Sequence, residues 1–194
     1  VLYRLLSNLS FSLSTDGSIN TMNADLANFV HPTRYAWLTA FAGKYVNNWL
    51  TISASALATV INADVKKGGS AGNHRKLTPY VSAAFKPFQH EEFRVRFFYK
   101  DIFRLASFND LYYEEVGNTQ LKPEKAKQYN IGLTYNKNVC PFLPYLSVTV
   151  DAYYNKVTDK IIAYPTKNLA VWSMTNLGEV DIKGIDATGS LSLQ

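Results

Sequence analysis

Cysteine and histidine are scarce in this sequence. The single cysteine, Cys140, has no partner for an internal disulfide, and the three histidines, His31, His74 and His90, stand far apart. No Ser/His/Asp grouping and no spacing typical of metal ligands accompanies them. We therefore expect no enzyme, no metal site and no cofactor, with a hydrolase assembled from scattered residues as the alternative.

Long apolar runs are also missing. None approaches the roughly 18 consecutive apolar residues of a transmembrane helix, which argues against a helical membrane protein. The net charge of +5 is modest, and basic pairs such as Lys66-Lys67 stand in connections rather than on one stripe, which argues against nucleic acid as a partner. No signal peptide opens the chain, and both ends fall within strand-like sequence. We expect residues 1–194 to be a single segment of a longer protein.

What fills the sequence is an alternation of polar and apolar residues. Between Leu50 and Val60 every second residue is apolar, whereas Thr51, Ser53 and Thr59 point the other way. A β-strand turns successive side chains to opposite faces, so this pattern needs two different solvents on its two sides.

About eight segments of this kind follow one another. They lie at about Ser7–Thr15, Arg34–Tyr45, Leu50–Val60, Leu77–Lys86, Glu92–Asp101, Lys127–Asn136, Tyr145–Val157 and Val180–Leu193. The last segment changes parity at Lys183-Gly184, which predicts a β-bulge. Four long connections of roughly 15 to 25 residues alternate with short turns, as in outer-membrane barrels.

The alternation of polar and apolar residues within each segment, together with the alternation of long and short connections, predicts an all-β fold. We expect an antiparallel meander of about eight strands, part of a larger transmembrane β-barrel. The 13 Tyr, 11 Phe and 3 Trp suit a water–lipid boundary. A soluble β-sandwich or propeller fragment is the alternative, but its connections would not sort by length.

The predicted strand at Glu92–Asp101 indicates which face of the sheet meets water. Arg94, Arg96 and Lys100 share one face, and such charges are costly against lipid but harmless in a watery lumen. We expect these three residues to face the lumen, with the steering of an anionic ligand as an alternative role. In the second strand, one face carries Trp37 and Phe41 and the other carries alanines, and the sequence leaves open which of them meets lipid.

The third long connection carries the most distinctive residues. It reads Phe103-Arg104 and, further on, Gly117-Asn118-Thr119-Gln120-Leu121-Lys122-Pro123-Glu124. Asn176-Leu177-Gly178 and Lys183-Gly184-Ile185-Asp186 follow in the last segment. Three motifs in this order, in strands of this kind, resemble TonB-dependent outer-membrane receptors. The matching residues of the main motif are Phe103, Arg104, Gly117, Asn118, Leu121, Lys122, Pro123 and Glu124.

The resemblance implies a many-stranded barrel with a plugged lumen in the outer membrane of a Gram-negative bacterium. Its partners would be outer-membrane lipid, a small bulky nutrient and the TonB energy-coupling complex, reached through a plug that this segment lacks. Whether a surface lipoprotein also binds is left open. A passive porin or adhesive barrel is the competing class.

Aromatic faces beside amide and carboxylate groups suit a bulky polar ligand. The candidate ligand-binding residues in the third long connection are Phe108, Asn109, Asp110, Tyr112, Tyr113 and Asn118. The alternative is that the polar members cap turns and the aromatics pack the loop.

The residues of the same connection also indicate which nutrient is imported. No histidine lies between Arg104 and Leu121, where similar haem importers have one. The Phe108-to-Tyr113 stretch looks closer to cobalamin receptors. Cobalamin or a related corrinoid is therefore ranked first, ahead of a ferric siderophore or haem.

Overall fold

One antiparallel sheet contains every strand of the computed structural model, which describes residues 2–88, 92–114, 116–137, 145–166 and 171–192. Each strand pairs with its neighbours in chain order. The strands are β1 (Leu2–Leu6), β2 (Leu9–Thr21), β3 (Pro32–Val46), β4 (Leu50–Val65), β5 (His74–Phe85), β6 (Glu92–Arg104), β7 (Glu124–Lys137), β8 (Tyr145–Pro165) and β9 (Trp172–Ser192). The predicted all-β meander is confirmed, with the short β1 added before the eight predicted strands.

The sheet has one apolar face, which is exposed, and one polar face. On β7, Ile131 is 53% exposed on the apolar face, whereas its neighbours Asn130 and Gly132 belong to the polar face. An exposed apolar face that extends over nine strands would be unfavourable in water, whereas it is suited to the hydrocarbon region of a membrane. In β3, the exposed Trp37 and Phe41 pair with Val60 and Ala56 of β4, so the aromatic side of β3 belongs to the apolar face.

A row of tyrosines marks one boundary of the apolar face. Tyr99, Tyr129 and Tyr154 lie side by side on β6, β7 and β8, with ring centroids 5.0 and 6.0 Å apart. The next residues on the same face are charged, as at Lys127 and Lys156. Tyrosine prefers such a boundary because its ring is apolar whereas its hydroxyl group is polar and can hydrogen-bond to water. The membrane-spanning part of these strands therefore ends at this row.

Beyond the tyrosine row, the strands continue into the longer connections. Residues 22–31, 66–73 and 105–123 join strands at this end, whereas residues 7–8, 47–49 and 86–91 join them at the other. The fourth long connection was wrongly predicted. β8 and β9 continue as a paired hairpin as far as Pro165 and Trp172, so only residues 166–171 connect them. Of the residues between the predicted strands Lys127–Asn136 and Tyr145–Val157, which include Cys140, all but Lys137 lie outside the described residues.

The predicted bulge at Lys183-Gly184 is also wrong. Pairing runs without a shift from Tyr145–Ser192 to Thr158–Glu179, and Ile182 lies on the polar face. Above the tyrosine row no lipid restricts apolar residues to one side, so the change of parity there does not report a bulge. The ladder skips a pair at Asp159, which has a positive φ of 55°.

Buried apolar residues gather at the end with the longer connections rather than between two layers. The cluster contains Ala106, Leu111, Tyr112, Leu121 and Ile161. The helix α1 (Phe108–Tyr112) belongs to this region. No helix in the described ranges is long and apolar enough to cross a membrane.

Candidate functional site

The connection between β6 and β7, residues 105–123, is the organising element of the candidate site. It begins with α1, whose N-cap is Ser107. The Ser107 hydroxyl accepts from the N–H of Asp110 at 3.1 Å, and the Asp110 carboxylate accepts from the N–H of Ser107 at 2.9 Å. This capping box fixes the start of the helix. A helix of five residues is too short to form alone, so packing must hold it in place.

On one side, α1 packs against β3 and the connection between β4 and β5. The Tyr112 hydroxyl accepts a hydrogen bond from the Ala71 N–H at 3.1 Å. The Arg34 guanidinium lies 4.8 Å from the centre of the Phe108 ring and donates to the Ala106 carbonyl at 2.8 Å. These contacts hold the connection against β3 through both a cation–π contact and a hydrogen bond.

On the other side, the connection is bound to β9. The Asn118 side chain donates to the Met174 carbonyl at 2.9 Å and accepts from the Gln120 N–H at 2.9 Å. Gly117 precedes it, and a Cβ at that position would lie 2.7 Å from the backbone nitrogen of Tyr113. Glycine is therefore required here by close backbone approach rather than by an unusual φ.

Glu124 closes the connection with a cluster of hydrogen bonds. Its carboxylate accepts from Arg104 at 2.8 Å, Lys160 at 3.1 Å and the Ile161 N–H at 3.3 Å. The residue lies on the side of the tyrosine row that carries the longer connections, outside the membrane-spanning part of β7. Burial opposes ionisation of the carboxyl, but the hydrogen bonds from Arg104, Lys160 and Ile161 outweigh it and lower the pKa of Glu124.

These contacts give a structural role to most of the motif residues. Arg104 and Glu124 form a cross-strand ion pair, Leu121 is buried, and Lys122 and Asn118 bind β9. Two of the partners, Arg34 and Ala71, were missed in the sequence. No local sequence pattern indicates that Arg34 and Ala71 contact residues 105–123, which follow tens of residues later in the chain.

Four of the six candidate ligand-binding residues, Phe108, Asp110, Tyr112 and Asn118, are engaged within the protein. The other two, Asn109 and Tyr113, are exposed, and Tyr113 is 60% accessible. The contacts favour the turn-capping and loop-packing interpretation for the first four. Ligand binding by any of the six stays a prediction.

The charged residues predicted for the lumen lie on the polar face of β6. Arg96 donates to both carboxylate oxygens of Asp151, at 3.1 and 2.9 Å, across Gly132 of the intervening strand. A side chain at position 132 would collide with this pair. Arg94 lies 3.7 Å from Glu92, whereas Lys100 is exposed with no ion pair among the described residues.

A recess of about 890 Å³ opens on the polar face, beneath the connection between β6 and β7. Its wall includes Arg34, Lys100 and Arg104 together with Thr59 and Tyr80. Within the described part of the chain, His, Cys, Asp and Glu side chains form no group of three that could hold a metal ion.

The sequence itself matches one protein family. Residues 33–194 match the family described as "TonB dependent receptor-like, beta-barrel". A vitamin B12 transporter BtuB of Vibrio vulnificus is 25% identical over 94% of this chain and 34% of its own length. A second vitamin B12 transporter BtuB, from Photobacterium profundum, is 31% identical over 46% of this chain and 14% of its own length.

Solved structures share the fold at low identity. The FrpB iron transporter of Neisseria meningitidis superposes with a TM-score of 0.74 at 11% identity, over the whole of this chain and 32% of its own. The copper transporter OprC gives 0.76 at 12% identity, over 97% and 33%. The hemophore receptor HasR of Serratia marcescens gives 0.76 at 12% identity, over 98% and 38%. This chain thus spans about a third of the length of such proteins.

Proposed function

This chain belongs to the TonB-dependent receptor family as a stretch of outer-membrane β-barrel, and we propose that the protein containing it actively imports a scarce, bulky nutrient. The observation that carries the proposal is the two-faced sheet, with its apolar face exposed and its polar face lined by Arg96, Lys100 and Asp151. Such a wall separates hydrocarbon from a hydrated lumen. Energy would come from the TonB complex acting through a plug outside residues 1–194.

The proposed nutrient is cobalamin or a related corrinoid. Two relatives named as vitamin B12 transporters support it, one of them aligned over 94% of this chain. The residues between Arg104 and Leu121, which include no histidine, favour it over haem. A ferric siderophore is the second candidate, since an iron transporter shares the fold.

Within the candidate connection, we assign ligand contact to Asn109 and Tyr113. Both are exposed at the extracellular end, and neither side chain is used to hold α1 in place. A tyrosine ring beside an amide offers stacking and hydrogen bonding to a bulky polar ligand. Phe108 and Tyr112 would then position the helix rather than bind.

The test is uptake by cells that express the complete receptor in place of their own. Labelled cyanocobalamin, ferric siderophore and haem are supplied separately, with and without a functional TonB complex. We expect TonB-dependent uptake of cyanocobalamin. Uptake of a different nutrient would reject the corrinoid assignment, and uptake that persists without TonB would favour a passive porin.

The site assignment needs its own pair of variants. Tyr113→Ala should weaken ligand binding by about tenfold, the loss of one good aromatic contact. Lys66→Ala, an exposed change in the neighbouring connection, should keep wild-type affinity. An unchanged affinity in Tyr113→Ala removes this residue from the site. A surface lipoprotein partner would appear as a protein retained with the receptor on purification.

A further inference from the structure

The apolar face of β2, β3 and β4 contains a hollow of about 520 Å³, which we call the Trp37 hollow. The lining residues whose side chains lie on this face are Gly17, Ile19, Tyr35, Trp37, Val60 and Asn62. Tyr35 is 47% and Trp37 is 58% exposed, so the described residues leave the hollow open towards the lipid.

A glycine opposite a tryptophan gives the hollow its shape. Gly17 pairs with Trp37, and a Cβ at position 17 would lie 3.2 Å from two carbon atoms of the Trp37 ring. The ring therefore leans over β2, where any larger residue would press against it. Val60 pairs with Trp37 on the other side, and the space over Val60 stays open. All three residues belong to paired strands, so the hollow is a fixed feature of the sheet.

The hollow has a polar end on the side of the longer connections. Tyr35 and Asn62 oppose each other in the register, one lipid-facing pair beyond the Trp37 ring. Both residues are exposed, and neither side chain makes a hydrogen bond among the described residues. The next pair on the same face, Thr33 and Asp64, is polar. The apolar face therefore ends at this height, and the polar end of the hollow lies at the membrane surface.

A hollow of this kind is not left empty in a membrane. Its apolar part holds no ordered water, because a bound water needs several polar partners. Unfilled space would also forfeit the dispersion contacts of its walls. The material that meets this face of the sheet is hydrocarbon, and an acyl chain is narrow and flexible enough to enter an open hollow.

We propose that the Trp37 hollow holds one acyl chain of a membrane lipid at a fixed place on the barrel wall. The chain packs against Trp37, Ile19 and Val60. An ester oxygen of the same lipid accepts hydrogen bonds from Tyr35 and Asn62, which supply a hydroxyl and an amide donor. This orientation agrees with the membrane, since the polar end lies at its surface and the apolar part lies deeper.

The experiment uses the complete receptor in detergent, freed of lipid and titrated with dioleoyl phosphatidylethanolamine in native mass spectrometry. The wild type should bind a first lipid molecule more tightly than further ones. Val60→Trp fills the hollow with a side chain and should weaken the binding of the first molecule by about tenfold. Asn62→Leu should weaken it by about fivefold, through the loss of one neutral hydrogen bond.

Val148→Trp is the matched control. Val148 is also an exposed valine on the apolar face, but it lies on β8 and does not line the hollow. It should keep wild-type affinity for the first lipid. Equal first affinities in Val60→Trp and Val148→Trp, or a wild type that binds all lipid molecules equally, overturns the proposal. Gel migration of the unheated receptor checks folding, and if Val60→Trp does not fold, a wild-type affinity in Asn62→Leu overturns it instead.

The same spectra distinguish a lipid from a protein occupant. A second copy of the receptor in the hollow would appear as a dimer that Val60→Trp dissociates and Val148→Trp does not, and this result also overturns the lipid assignment. Nutrient uptake is a separate measurement. A wild-type receptor that supports no energy-dependent uptake would reject the proposed function and leave the lipid site unaffected.

Discussion

Asn176 and Lys122 are joined by two opposed hydrogen bonds. The Asn176 side chain accepts from the backbone N–H of Lys122 at 2.8 Å and donates to the Lys122 carbonyl at 3.0 Å. Its amide also donates to the Asp159 carbonyl at 2.8 Å. The Asn176 side chain thus makes the two hydrogen bonds to the Lys122 backbone that a neighbouring β-strand would otherwise make. This contact anchors the end of the β6–β7 connection to β9.

Replacing this asparagine should loosen the connection. Asn176→Ala leaves the Lys122 N–H and the carbonyls of Lys122 and Asp159 without their partner, which should cost about 1–3 kcal/mol. Hydrogen exchange of residues 116–124 should become faster. Asn109→Ala is the control, because the exposed Asn109 side chain makes no hydrogen bond in the described part of the chain. Equal exchange in the two variants would show that Asn176 does not anchor the connection.

Gly117 should not tolerate a side chain. In Gly117→Ala the new methyl group would lie 2.7 to 2.8 Å from backbone atoms of Tyr113 and Leu111, which flexible side chains cannot relieve. We expect a loss of about 1–3 kcal/mol in the free energy of unfolding. Gly178→Ala provides the comparison, since nothing lies within 4 Å of a Cβ there. Urea unfolding of both variants in detergent measures the difference, and a Gly117→Ala midpoint equal to that of Gly178→Ala contradicts it.

The Glu124 cluster should make the connection sensitive to acid. The pKa of Glu124 is lowered in the folded protein, so its ionised form stabilises the fold at neutral pH. This contribution is lost as the pH falls below the ordinary glutamate range and through the lowered pKa. Glu124→Gln should therefore be less stable than the wild type at pH 7, and the gap should shrink as the pH falls.

Urea midpoints measured from pH 7 to pH 3 provide the readout for Glu124. Glu114→Gln serves as the control because Glu114 is exposed and forms no ion pair among the described residues. A gap between the wild type and Glu124→Gln that stays constant over this range would exclude a linkage to the carboxyl group.

Two adjacent positions on β7 test which face meets lipid. Ile131 lies on the exposed apolar face, between Phe97 and Ala152 of the neighbouring strands. Ile131→Lys should cost about 1–2 kcal/mol, less than the roughly 2–4 kcal/mol of the membrane midplane, because Ile131 is the first residue of the apolar face inside the tyrosine row. Asn130→Lys, on the polar face, should cost little. Unfolding from lipid vesicles measures both, and equal costs would contradict the assignment of the two faces.

Local alternation was enough to predict most of the strands, because each strand meets two different solvents. The segment from Leu50 to Val60 illustrates this, since its predicted faces are those of the structure. The same rule failed beyond the tyrosine row. There Val180 and Ile182 face the polar side, and the end of β8 and the start of β9 pair where a loop was predicted.

The sequence by itself determined the two-faced meander, its strand order and the motif that marks the family. It did not determine what the motif residues do. Arg34 reaches Ala106, Tyr112 reaches Ala71 and Asn176 reaches Lys122 only in the folded sheet. Alternation is a local property imposed by solvent on every residue of a strand. A contact between distant segments depends on the register of all the strands between them, which only the tertiary structure decides.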